Sequence, residues 1–319
     1  MVTFAANANG TGHSRNYIAQ DGDLEISAIT SVLDGTVSFV RVFPWRWVSK
    51  KGLAGNVGSN LNSRWWYNWN LDQNSSLDRE YVAIRQNQYW PGLTQNWQTR
   101  GVNHLLGYNE PDHVDQANMS VATSVAAWPD LLATGLRVGS PCPTDGGRNW
   151  LYSFMDQANA NNHRVDFVAV HYYWGFSNAG DPAGAANQMY NFLKEIYDRT
   201  GKPIWVTEFN NGANWTTGVP DPTFAQQAAT VQAMIDMLEG TPWIERYSIY
   251  NWVEDVRRVT WNDGWPTAAG ENYRDKFSNL SYTQVMPSVA VTPSAFYRFE
   301  NNARDSGAYG HTGMMRGAA

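Results

Sequence analysis

One cysteine in 319 residues, Cys142, leaves no partner for an intrachain disulfide and no thiolate-based metal site. It stands between Pro141 and Pro143 with no base beside it in sequence, so it reads as a structural thiol. Charge is also scarce. Only 16% of residues are charged, and 23 basic against 29 acidic residues give a net charge of −6. A basic face for nucleic acid is therefore not expected. No apolar run approaches about 20 residues, so no membrane span is expected. Neither a His-Glu-x-x-His nor a His-x-His pair occurs, and His163 and His171 straddle a strand instead of sharing a helix face. No metal and no cofactor are expected. A Gly-x-Ser-x-Gly elbow is missing, which argues against a serine esterase, and the glycine runs fit no phosphate loop. The opening Met1-Val2-Thr3 lacks the charged and apolar regions of a leader. The expectation is a secreted or cell-surface protein whose leader has been removed.

What is abundant is aromatic surface. Sixteen Trp and sixteen Tyr exceed what a core of this size needs. Aromatic faces stack on the C–H faces of sugar rings, while Asn and Gln bond hydroxyls. An amide-rich, aromatic, weakly charged chain suits an uncharged polymer better than a charged ligand.

Hydropathy patterning points to an α/β protein, a (β/α)8 TIM barrel over residues 1–290. Short apolar runs at Ser38–Phe43, Arg64–Trp69, Tyr81–Gln88, Asn103–Tyr108, Arg137–Ser140, Asp166–Tyr172, Pro203–Thr207 and Arg246–Asn251 read as eight strands. Segments at Ser120–Thr134, Trp150–Ala160, Ala185–Thr200 and Phe224–Glu239 carry helical spacing, with Ser120 as an N-cap. Strand and helix alternate every 30–40 residues or so, the pattern of a parallel sheet. Continuous apolar strands such as Phe-Val-Ala-Val suit burial on both faces. Residues 291–319 break the pattern. The run Tyr297–Gly313 resembles the opening strand of a laminin-G/concanavalin-like β-sandwich, so this stretch is expected to be a linker and the truncated start of such a domain.

In a barrel of this kind, chemistry sits at the C-terminal ends of strands. There the sequence places Asn109-Glu110-Pro111, Thr207-Glu208-Phe209, His171-Tyr172-Tyr173-Trp174 and Asn251-Trp252. Hydrolysis of a glycosidic bond needs two carboxyl groups: one protonates the leaving oxygen, the other attacks the anomeric carbon or activates water. Glu110 and Glu208, far apart in sequence, would share one mouth. The segment Phe43–Gly58 is long and basic, and Lys50 and Lys51 read as a solvated loop or as contacts to a sulfated galactan. Of Trp45, Trp47, Trp65, Trp66 and Trp69, some must pack in the core; Trp45 and Trp69 lie nearest strand ends and are expected to be sugar platforms. His104, beside two leucines, reads as structural.

The segments LLGYNEPDH, VGSPCP, VDFVAVHYYWG, KPIWVTEFN and RYSIYNW resemble glycoside hydrolase family 128, a family of clan GH-A barrels consisting mainly of endo-β-1,3-glucanases. The resemblance spans roughly residues 38–255 and implies a retaining mechanism with Glu110 as acid/base and Glu208 as nucleophile. It implies that Asn109 bonds a sugar 2-hydroxyl, that Trp252 floors the subsite at the cleaved bond, and that His171 or Tyr172 touches the nucleophile. Trp174 and Asn210 complete the expected substrate-binding set. The expected partner is a polysaccharide bound by a monomer. A galactan or another hemicellulose is the alternative polymer, and a silent carbohydrate-binding barrel is the alternative class.

Overall fold

Lys51–Ala54, not Ser38–Phe43, supplies the first strand of the parallel sheet. The computed structural model describes residues 1–19, 23–26, 28–55 and 59–281. The described residues divide into two compact units, one containing Met1–Trp45 and one containing residues 46–281. In the first, β1 (Val2–Ala5) pairs antiparallel with both β2 (Ser14–Tyr17) and β3 (Phe39–Val42). Strand β3 lies inside the run expected to open the barrel. Its residues alternate between half-buried and exposed, as in an antiparallel strand with one wet face. The expected β-sandwich start after residue 291 lies outside the described residues.

The second unit is α/β. A six-stranded parallel sheet runs in the order β10 (Val168–Tyr172), β11 (Ile204–Phe209), β12 (Ile244–Ile249), β4 (Lys51–Ala54), β5 (Trp65–Tyr67), β6 (Glu80–Tyr81). A second sheet pairs β7 (Ala83–Ile84), β8 (His104–Leu106) and β9 (Arg137–Val138). Val82 alone separates β6 from β7, and a parallel bridge from Gly139 to Phe167 links the end of β9 to the start of β10. The helices are α1 (Trp97–Arg100), α2 (Val121–Leu132), α3 (Arg148–Ala160), α4 (Pro182–Thr200), α5 (Phe224–Gly240) and α6 (Ala268–Asp275). Ser120 caps α2 through the Thr123 amide, and Thr223 with Gln226 forms a capping box on α5. The core between the sheet and α4 and α5 is aliphatic: Val168, Val170, Ile204 and Val206 meet Met189, Leu193, Val231 and Ile235.

Strand β4 hides from sequence patterning because its residues serve neighbours. Gly52 lies so close to the Trp65 indole that a Cβ would fall 2.1 Å from it. Lys50 and Lys51 are buried, not solvated. Lys51 Nζ donates to the carbonyls of Tyr273, Arg274 and Lys276 at 2.7–3.0 Å, at the C-terminus of α6. Lys50 Nζ does the same for Leu238, Glu239 and Thr241 around the end of α5. A cation satisfying orphan carbonyls at the negative end of a helix is favourable. Burial lowers the Lys51 pKa to about 8.

The N-terminal ends of the strands enclose a buried ionic cluster. Glu80 accepts from His104 Nδ1 and from Arg246 Nη2, each at 2.7 Å, while Arg137 makes a two-pronged pair with Glu245. The Arg246 guanidinium stacks 4.3 Å from the Trp205 ring centre. His104 is structural, as its apolar neighbours suggest.

Candidate active site

At the other ends of the strands, one imidazole joins the two glutamates. His171, near the end of β10, bonds Glu110 Oε1 through Nδ1 at 2.9 Å and faces Glu208 Oε1 with Nε2 at 3.5 Å. Glu110 follows β8 and Glu208 is the penultimate residue of β11, so distant segments meet at one ring. The Glu110 side chain is 18% exposed and that of Glu208 7%.

Glu208 is held by three donors. Oε1 accepts from Tyr67 Oη at 2.8 Å and Trp69 Nε1 at 2.9 Å, and Oε2 from Tyr173 Oη at 2.5 Å. All are side chains that donate, which fixes both oxygens as acceptors. Burial and the Glu208 carboxylate together push the Tyr67 and Tyr173 hydroxyls far above the usual phenol range, so both remain protonated donors.

The surroundings of His171 favour its protonated form. Burial opposes the imidazolium, but the nearby Glu208 carboxylate and the hydrogen bond to Glu110, with the Cys142 sulfur as a further hydrogen-bond partner, raise its pKa well above the ordinary value. For Glu110, burial favours the neutral acid, yet the hydrogen bond and charge of His171 prevail and lower its pKa. Cys142 is buried between these groups, its sulfur 3.5 Å from Thr207 Oγ1, and burial raises its pKa.

Backbone strain concentrates here. Five non-glycine residues among those described have positive φ. Three are Asn, which tolerates that region; the other two are Trp69 (φ 55°) and Glu110 (φ 41°). Each costs free energy that the surrounding bonds must offset. Glu110 is pinned by its amide to the Cys142 carbonyl at 2.7 Å and by its own carbonyl to the His113 amide.

An aromatic wall continues from the carboxylates. Tyr173 packs on Trp215 and Tyr250, Tyr250 on Trp252, and Trp252 edge-on against Trp69 at 5.4 Å. Trp215 and Trp252 are about half exposed. Gly55, at φ 79°, makes room for Trp252, because a Cβ there would fall 1.9 Å from its ring.

Several expected site residues join this cluster: Glu110, Glu208, His171, Trp69 and Trp252. Asn109 stands beside it, buried, with Nδ2 donating to Gln116 and Oδ1 without a hydrogen-bond partner. Others do not join. Tyr172 faces away, packing on Phe192 and accepting from Gln188, because strand alternation that turns His171 inward turns Tyr172 outward and Tyr173 inward again. Trp174 packs with Tyr172 and Phe192 under Arg148. Asn210 is fully buried; its amide donates to the Tyr250 and Arg257 carbonyls and its oxygen accepts from Gln227 and Asn211, which leaves nothing for a sugar. Sequence reasoning missed Tyr67, Tyr173, Tyr250 and Trp215. The signal for Tyr173 was its two-residue spacing from His171, which shares a face of an extended chain.

Residues 44–273 match the model of the glycosyl hydrolase catalytic core family. A GH128 (subgroup I) endo-β-1,3-glucanase from Amycolatopsis mediterranei, solved with laminaritriose, is similar at a TM-score of 0.62 and 31% identity, covering 71% of this chain and 98% of that one. A GH128 (subgroup VII) oligosaccharide-binding protein from Trichoderma gamsii shares the fold at a TM-score of 0.56 and 20% identity, covering 71% of this chain and 93% of that one. Alkali-sensitive linkage protein 1 of Schizosaccharomyces pombe is 29% identical over 217 residues, 62% of this chain; the chain spans only 38% of that relative's length.

Proposed function

The chain belongs to the glycosyl hydrolase catalytic core family and, within it, to glycoside hydrolase family 128, and from that premise we propose that it cleaves β-1,3-glucan internally by double displacement on a closed (β/α)8 barrel. Strand β4 pairs on both sides, with β5 and β12, and the Gly139–Phe167 bridge and the Glu80–Ile84 stretch join the two sheets; these support closure. The single observation that carries the function is the imidazole shared by two strand-end carboxyls beside an aromatic wall.

In this reading Glu208 attacks the anomeric carbon while Glu110 gives its proton to the leaving oxygen. Glu110 then takes a proton from water, whose oxygen displaces Glu208 and regenerates both groups. The three donors on Glu208 orient it for attack. The imidazolium of His171 holds the proton next to Glu110, 2.9 Å away, and delivers it when sugar excludes water from the site. Asn109 Oδ1 accepts from a sugar hydroxyl, and Trp252 and Trp215 floor the groove. With Lys50 and Lys51 turned to helix ends, the charge that suggested a sulfated galactan is gone from the site. Polysaccharide outside the cell is the substrate source this reading requires.

Glu208→Gln with laminarin is the deciding experiment. Reducing-end release should fall by about a thousandfold or more, equivalent to about 4 kcal/mol of barrier. Undiminished release would end the assignment. Proton NMR of the first product should show the β-anomer; the α-anomer would exclude double displacement.

A further inference from the structure

We propose that a second aromatic cluster, Trp261, Trp265 and Phe224, is a separate glucan-binding surface on the same face as the catalytic groups. It rests on the function proposed above but uses none of the residues placed there. Trp265 is 69% exposed, Phe224 50% and Trp261 38%. The two indoles belong to a tight hairpin between β12 and α6. The Thr260–Pro266 bridge sets Trp261 opposite Trp265, and the Trp261 amide donates to the Trp265 carbonyl at 2.9 Å. Residues directly opposite in an antiparallel pair project from one side. The Phe224 ring lies 5.8 Å from that of Trp261. Phe224 opens α5, so all three sit on connections that follow the C-terminal ends of β11 and β12.

The hairpin is held rigid. Gly264 takes φ 86° at its turn, Asp263 accepts from the Trp265 amide, and Asn262 accepts from Arg258. Asn251, adjacent to Trp252, accepts from the Val259 and Thr260 amides and donates to the Thr260 carbonyl, which fixes the hairpin base to the strand end that bears the cleft. Single exposed apolar side chains need no explanation, but a preorganised cluster of large rings does.

The occupant is a β-linked glucan chain. Rings presented from a braced turn are the chemistry that stacks on sugar faces. Three rings fall well short of the roughly 800 Å² per partner that a stable protein interface buries. A polymer already threaded through the cleft reaches the patch at high effective concentration, so weak stacking there adds avidity for long chains and none for short ones.

The test compares Trp261→Ala/Trp265→Ala with the wild type. Laminarihexaose kcat/KM should stay within about twofold, while depletion onto insoluble curdlan, measured in a Glu208→Gln background, should weaken by about tenfold. Phe224→Ala, away from the hairpin backbone, should reproduce part of the binding loss, and unchanged melting temperatures would show that folding is intact. Unaltered curdlan binding would overturn the proposal. So would an equal loss on the hexasaccharide, which would make the rings part of the cleft, or a concentration-dependent dimer abolished by the variant. A wild type that binds curdlan through these rings yet never cleaves the hexasaccharide would sink the hydrolase reading and leave this one standing.

Discussion

The two ends of the parallel strands bury the same pair, a histidine bonded through Nδ1 to a glutamate, and use it oppositely. At the N-terminal ends, His104 lies 2.7 Å from Glu80; at the C-terminal ends, His171 lies 2.9 Å from Glu110. Burial lowers the pKa of His104 to about 4, although Glu80 pulls the other way. Glu80 already has a cation in Arg246 and, despite burial, is held down to about 2. His104 can therefore stay neutral and serve as a neutral donor. At the C-terminal ends no arginine bonds either carboxylate among the described contacts, so the protonated form of His171 is favoured between Glu110 and Glu208. The third neighbour decides whether a buried His–Glu pair is structural or chemical.

The largest expected effect that sharpens this contrast is on Glu110. Glu110→Ala should lower laminarin hydrolysis by about a hundredfold or more, with azide partly restoring turnover of aryl glycosides that need little acid assistance. Equal loss on both substrate types would contradict an acid/base role.

Next is Arg246→Met, which strands Glu80 without its cation. Unfolding free energy should drop by about 3–5 kcal/mol, read as a lower urea midpoint, with kcat/KM of the folded protein nearly unchanged. A variant that is stable but inactive would place this cluster in the chemistry and break the comparison.

His171→Asn should lower kcat/KM and move the alkaline limb of its pH profile to lower pH by at least about one unit, since the proton then resides on a carboxyl group alone. A limb that stays in place would mean that His171 holds no proton for Glu110.

The smallest effect concerns His104. Its folded pKa of about 4 lies below the ordinary 6.5, so the unfolded chain binds the proton first and stability falls as pH drops between those values. His104→Gln should flatten the melting-temperature decline over that window, leaving the fall below about pH 4.5 that protonation of Glu80 causes. An unaltered slope would contradict a neutral His104.

Seven of the eight expected strand runs fall in the parallel sheets, and the four long helices were legible too, because apolar periodicity and caps are local properties. The strand Lys51–Ala54 was not, since its lysines serve helix ends and its glycine yields to Trp65, demands that only tertiary packing makes visible. That Glu110 and Glu208 come together could be read from strand-end position, that Trp69 stands beside them from nearness to a strand end, and that Trp252 does from the family resemblance. Side-chain direction could not. Choosing Tyr172 over Tyr173 failed by one residue, which reverses the strand face. Asn210 looked free beside Glu208, but its amide is spent on carbonyls that no sequence pattern reveals.

The role of Glu208 is open to one direct measurement. A 2-deoxy-2-fluoro-laminaribiosyl donor with a good leaving group should trap a covalent adduct, and peptide mass mapping should put one disaccharide on the segment containing Glu208. Turnover without an adduct, or a label on any other residue, would contradict the mechanism.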